Sequence, residues 1–192
     1  MVETFYTIGG SNEVVKYFND TIQLLQKECN EEDVNLDLIA REYGINMTPS
    51  EDQVIGDYEF DKDLNKIKFI SISDDGSDRD FFDLLKAKLQ KIGHVTMSYI
   101  VIDPEYDVFV KHDEDNDYPN DECYVTGFID GAEYFENDFF GTIENAIENW
   151  FDIMNRKRPK NKTNDELVDF INDYNNYKDD EFYYEIHRFE IE

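Results

Sequence analysis

An α+β fold is what this sequence predicts: a mixed or antiparallel sheet of about five to seven strands with four or five helices packed against it. Three observations lead there. Stretches such as Lys66–Ser73, KIKFISIS, alternate apolar and polar residues at the period of a half-buried strand. Other stretches carry apolar residues at helical spacing behind Ser or Thr caps. The strands follow one another in hairpin-like order, without the regular strand–helix alternation of a parallel sheet. At 192 residues the chain can bury a sizeable core. The expectation is one α+β domain over 1–192, with an internal division between an N-terminal helical part, 1–55, and a sheet-plus-helices part, 56–192.

Glu3–Ile8 reads as a short strand stopped by Gly9-Gly10. Ser11 caps a helix to about Cys29, with Val14, Val15, Phe18, Ile22 and Leu25 on one face. Leu36–Tyr43 is a short helix closed by Gly44. Gly56–Phe60 and Lys66–Ser73 are strands, and Asp74-Asp75-Gly76-Ser77 is a turn and cap. Phe81, Leu84, Leu85, Leu89 and Ile92 mark a helix over Asp78–Ile92, ended by Gly93. His94–Asp103 is a strand, Asp103-Pro104-Glu105 turns the chain into Tyr106–Lys111, and Cys123–Asp130 is another strand. Thr142 caps a helix to about Arg156, whose stripe is Ile143, Ile147, Trp150, Phe151 and Met154. Thr163 or Asn164 starts a helix ending near Tyr177, with Leu167, Val168, Ile171 and Tyr174 inward. Phe182–Ile191 alternates as one final strand.

Charge is the outstanding feature. Forty-six acids against 18 bases give a formal charge of −28, far beyond the magnitude of about 2–8 that keeps a small domain soluble. Self-repulsion of that size costs folding stability. Aromatics at 15% exclude a disordered acidic tail. Anionic lipid and nucleic acid would be repelled, since phosphate contacts need a basic footprint. The opening residues carry no basic n-region or apolar h-region, no run approaches a membrane span, and Cys29 and Cys123 lack CxxC spacing. These features predict a cytoplasmic protein.

Residues 101–150 hold 15 acids and one base, half the net charge of the chain. Within them, Asp113, Glu114, Asp115, Asp117, Asp121 and Glu122 place six carboxylates in ten residues. An EF-hand reading fails: counted from Asp113, the sixth residue is Tyr118 rather than Gly, and the twelfth is Tyr124 rather than Glu. On the two C-terminal helices, Glu144, Glu148 and Asp152, then Asp165, Asp169 and Asp173, repeat at i, i+4 and i+8 with no interleaved Lys or Arg. Like charges at that spacing destabilise a helix by a few tenths of a kcal/mol per pair. An i to i+4 step rises about 6 Å, and alternate phosphates of one DNA strand lie about 6.8 Å apart. A file of such carboxylates therefore approximates a file of phosphates.

Enzyme motifs are missing: no GxSxG, GxxxxGK[ST] or GxGxxG occurs. His112-Asp113 matches the metal dyad of HD-type phosphohydrolases as a dipeptide, but it sits at a strand end with only His94 and His187 to assist. LDLIAREYGIN echoes a helix-turn-helix, yet MTPSEDQVIGDYEF would make an acidic recognition helix, so Leu36, Ile39 and Tyr43 read as core. The loop Arg156-Lys157-Arg158-Pro159-Lys160-Asn161-Lys162 holds five bases, which complement a helix C-terminus or pair with the 113–122 loop.

In charge and size the chain resembles DNA-mimicking inhibitors, among them phage and plasmid anti-restriction and anti-CRISPR proteins. No motif accompanies the resemblance, so no residue role is carried over. It implies a non-enzymatic inhibitor, with no cofactor or metal, that occludes the basic surface of a nucleic-acid-binding protein such as a nuclease. The alternatives are an immunity protein neutralising a cationic toxin, and a divalent-cation-binding module or enzyme.

Overall fold

The computed structural model describes residues 2–30, 32–49, 53–73, 78–129, 138–175 and 182–192. Its order is β1 (Val2–Gly10), α1 (Asn12–Cys29), β2 (Val34–Asn35), α2 (Leu36–Tyr43), β3 (Val54–Asp61), β4 (Lys66–Ser73), α3 (Arg79–Leu89), β5 (Val95–Asp103) and β6 (Val108–His112). There follow β7 (Cys123–Ile129), β8 (Asp138–Gly141), α4 (Ile143–Ile153), α5 (Asn164–Asn175), β9 (Phe182–Arg188) and β10 (Glu190–Ile191). The α+β class is as expected, but the strands form two sheets. The chain divides into two compact units, Met1–Asp117 with Ile191–Glu192, and Tyr118–Glu190. The boundary between the units falls inside the acidic loop, whereas β3 runs through residue 55.

The first unit is built on a seven-stranded sheet, ordered β10-β6-β5-β1-β4-β3-β2 and antiparallel from β6 through β2. Its core joins Tyr6, Ile8 and Phe69 of the sheet to Phe18 and Ile22 of α1, Leu36 and Ile39 of α2, and Phe81, Phe82, Leu85 and Leu89 of α3. Leu84, expected inward, is exposed, and Phe82 takes the inward place. Gly9 and Gly10 do not stop β1; they pair with Thr96 and Val95. Gly10 has φ +136°, and a Cβ there would lie 2.2 Å from the His94 carbonyl oxygen, so only glycine permits this close strand pairing. One extra residue between Gly56 and Glu59 bulges β3 against β4, with Asp57 at φ 47°. No recognition helix follows α2: after Gly44 the described chain runs into β3, and Leu36 and Ile39 are core.

Asp78 is a buried carboxylate at the foot of α3. Tyr6 Oη donates to its Oδ1 over 2.8 Å and the Ser71 hydroxyl donates to its Oδ2. Burial raises its pKa, and the two hydroxyl donations only partly counter that. The Asp74–Ser77 turn lies outside the described residues.

The second unit has a three-stranded antiparallel sheet, β8-β7-β9, under α4 and α5. Ala146, Ile147, Trp150 and Phe151 of α4 and Leu167, Val168 and Ile171 of α5 close over Cys123, Val125, Tyr184 and Ile186. Thr142 caps α4 through its hydroxyl, which accepts from Asn145 N–H. Glu122 Oε2 accepts from Ile143 N–H at the same helix end. Thr163 and Glu166 cap α5 reciprocally, each side chain accepting from the other's backbone N–H. The Asn172 amide accepts from Ile186 N–H and donates to Ile186 O, both at 3.0 Å, taking the place of a neighbouring strand beside β9. Tyr177, the expected end of α5, and Asp130, the expected end of β7, lie outside the described residues.

The alternation over Phe182–Ile191 does not make one strand. Tyr184 and Ile186 are buried at even positions, but the next buried residue is Phe189, and this odd step ends β9 at Arg188. The chain then gives β10 to the larger sheet.

Candidate protein-binding surface

Helices α4 and α5 run side by side in the same direction. Near their starts Asn164 donates to Glu144, and six residues further along each helix the rings of Trp150 and Phe170 meet edge to face at 5.7 Å. A same-sense pair needs a long return, which the basic loop supplies. Asn155, at φ 49°, ends α4 with the Arg156 N–H on Phe151 O, and this left-handed cap turns the chain back.

On its way back the loop brings a cation to two members of the first carboxylate triad. Arg158 pairs with Glu144, lies 3.6 Å from Glu148 and donates to Asn164 Oδ1. The Arg158 hydrogen bond holds the Glu144 carboxyl below the usual carboxylate range. Arg156 Cζ stands 4.9 Å over the Tyr174 ring and 5.8 Å over Trp150, and Nη2 donates to Tyr174 Oη. The cations missing from the helix itself thus arrive from elsewhere in the chain. In the second triad Arg188 pairs with Asp165 over 2.6 Å. Among the described residues no cation pairs with Asp152, Asp169 or Asp173, and all three are exposed.

The 113–122 loop is spent differently. Glu114 pairs with Lys86 and accepts from Met97 N–H, while its own N–H donates to Ser98 Oγ, so the pair continues the β5–β6 ladder past its end. Burial works to raise the Glu114 carboxyl, but Lys86 and the Met97 N–H together pull it below the ordinary value. Asp117 and Asp115 both pair with Lys66, and Asp117 also accepts from Ser98 Oγ over 2.6 Å. Desolvation works to lower the Lys66 pKa, but these two carboxylates raise it. Asp113 Oδ1 accepts from Asp117 N–H. Of the last two acids, Glu122 caps α4 and Asp121 N–H donates to Tyr118 O. The loop is therefore built chiefly into the fold. The basic loop supplies none of the cations described for Asp115, Asp117 and Glu114.

His112 ends a strand, stacks on Tyr99 at 5.1 Å and sets Nδ1 3.1 Å from Glu192 O, an arrangement unlike a helix-borne metal dyad. Among the described residues no group of three or more His, Cys, Asp or Glu could hold a metal ion. Burial pushes the Cys123 thiol up to about 12, and Sγ donates to Gly141 O, so it is unreactive. A recess of about 330 Å³ opens where β1 meets α1, lined by Gly10, Ser11, Lys66, His94 and Asp115 among others. Its one ammonium, Lys66, is already held by two carboxylates.

No family model matches the chain, nor does any characterised protein or solved structure. The site rests on its own geometry. Among the described residues no helix is long and apolar enough to cross a membrane. Several exposed acids have no described cation, Glu13, Asp80 and Asp83 of the first unit among them. On the outward side of α5, Asp169 and Asp173 share their exposure with Phe170, which stands one residue after the first, three before the second, and is 38% exposed to solvent. Sequence reasoning missed Phe170. Its signal was present: an apolar residue at i+4 from Glu166 and i−3 from Asp173, on the acidic face.

Proposed function

We propose that this chain is an acidic inhibitor that occludes the basic nucleic-acid-binding surface of a partner protein, a nuclease being the most fitting class. The observation that carries this reading is the pair Asp169 and Asp173, exposed and without a described cation, on a chain of charge −28. One turn of helix separates the two carboxylates by a rise of about 6 Å, near the 6.8 Å between alternate phosphates of one DNA strand. Carboxylates there stand where phosphates would stand, and competition follows. The excess charge steers a cationic partner from a distance, which makes association fast and salt-sensitive. Glu144 and Glu148 contribute less, because Arg158 already occupies them.

The test titrates the protein into purified DNA-cleaving nucleases that have basic grooves, at salt from low to above physiological. Inhibition is expected to weaken with salt and to be relieved by excess duplex DNA. Asp169→Lys with Asp173→Lys should abolish it at an unchanged unfolding midpoint, whereas Asp152→Asn should reduce it little. Salt-independent inhibition, or inhibition indifferent to the double reversal, overturns the proposal.

A further inference from the structure

We infer that the outward face of α5 is a guanidinium platform: an arginine of a basic protein partner stacks on Phe170 while Asp169 and Asp173 accept its N–H groups. This deepens the function proposed above and rests on it. Carboxylates alone would suit any cation. An aromatic ring beside them does not.

Phe170 is an apolar side chain on a helix face otherwise made of Asp165, Glu166, Asp169 and Asp173. It keeps 38% of its surface exposed although burial of apolar surface is favourable. Its ring is fixed from below, edge to face on Trp150 and 6.2 Å from Tyr174. Trp150 is fully buried, so the platform is rigid and little entropy is lost when a partner covers it.

The chain supplies a demonstration of the chemistry. Arg156 lies on this same aromatic cluster, over Trp150 and Tyr174, with one N–H donated to an oxygen. Phe170 belongs to the same cluster, and no described cation lies over it. What Arg156 does on one side of the cluster, a partner's arginine does on the other, with carboxylates in place of the tyrosine hydroxyl. A guanidinium is planar, weakly hydrated and forked, so it can stack and donate at once. An ammonium is a strongly hydrated point charge and gains only from the carboxylates.

The experiment uses the full chain and two synthetic peptides of equal length and charge, oligo-arginine and oligo-lysine. Affinities come from calorimetry at physiological salt, and the contact surface from backbone amide shifts. The expected result is a two- to fivefold preference for arginine, equivalent to the 0.5–1 kcal/mol of an exposed cation–π contact. The largest shifts should lie at 165–174. Phe170→Leu keeps an apolar side chain without a π face and should erase the preference while lysine binding stays. Asp169→Asn with Asp173→Asn should weaken both peptides. Equal affinity for the two peptides, a preference that survives Phe170→Leu, or shifts centred on 113–117 overturns the inference. Tight binding that depends on Phe170 but is equal for an uncharged apolar peptide also overturns it and makes the face an apolar dock. Loss of nuclease competition with the arginine preference intact defeats only the proposed function. Competition that persists without the preference defeats only the platform.

Discussion

The two units carry the same density of charge but bury their ion pairs to different depths. Residues 1–117 with 191–192 hold 28 acids and 11 bases, a net of −17 over 119 residues. Residues 118–190 hold 18 acids and 7 bases, a net of −11 over 73. Per residue these are nearly equal, so composition does not distinguish the units. Pairing does. In the first unit Lys66 and Lys86 reach across the fold to Asp115, Asp117 and Glu114, and the Asp117 side chain keeps only 5% of its surface in water. In the second, Arg158 and Arg188 meet carboxylates that stay largely solvated. Asp152, Asp169 and Asp173 have no described cation, as is also true of exposed acids in the first unit such as Glu13, Asp80 and Asp83. Neither a high count of acids nor the lack of a cation marks a site by itself; what sets Asp169 and Asp173 apart is the exposed ring on their helix face.

The largest effect that can break this contrast tests whether the units respond separately. Phe18→Ala in the first core should cost about 3–5 kcal/mol. Trp150 is the one tryptophan and reports the second unit, so its fluorescence midpoint in denaturant should shift less than the circular dichroism midpoint. Equal shifts would mean that the two units unfold as one.

Next in size are the ion pairs. Lys66→Met strands the nearly buried Asp117 and should cost about 2–3 kcal/mol by chemical denaturation. Arg158→Met removes a pair whose carboxylates are solvated, and the midpoint should stay within error. A reversal of that order would undo the distinction between structural and surface charge.

The smallest effect is a pH dependence. Glu114 has a lowered folded pKa, so its contribution is present above the unfolded value of about 4.3 and is lost as pH falls through the folded one. Glu114→Gln should cost most near neutral pH, with a gap that closes below about pH 4.3 and survives added salt. The Glu144→Gln gap, at a solvated pair, should vanish in high salt. Asp78 has the opposite sign: its raised folded pKa favours folding below the unfolded value, so Asp78→Asn should cost more in acid than at neutrality.

Much of the fold was legible because local chemistry dictates it. The α1 stripe, the Gly44 stop, the Thr142 cap and the KIKFISIS alternation each depend on neighbours a few residues away. The elements missed were those that local pattern underdetermines. Val34–Asn35 and Asp138–Gly141 are too short to alternate, and the break at Phe189 is visible only as a change of phase. Leu84 was placed inward because Leu84 and Leu85 both fit a helical stripe, and only packing chose between Leu84 and Phe82.

The candidate site was legible in part. The acidic files on α4 and α5 could be read at i, i+4 spacing, but their neutralisation could not, because Arg158 reaches Glu144 across 14 residues and Arg188 reaches Asp165 across 23. By itself the chain of residues determined the helices, most strands, the total charge and which acids share a helix face, since periodicity and capping act within one or two turns. Which acids remain uncompensated, and that an aromatic ring stands open among them, was decided only by tertiary structure. Coulomb energy depends on distance in space and on exposure to water, and neither is a property of sequence separation.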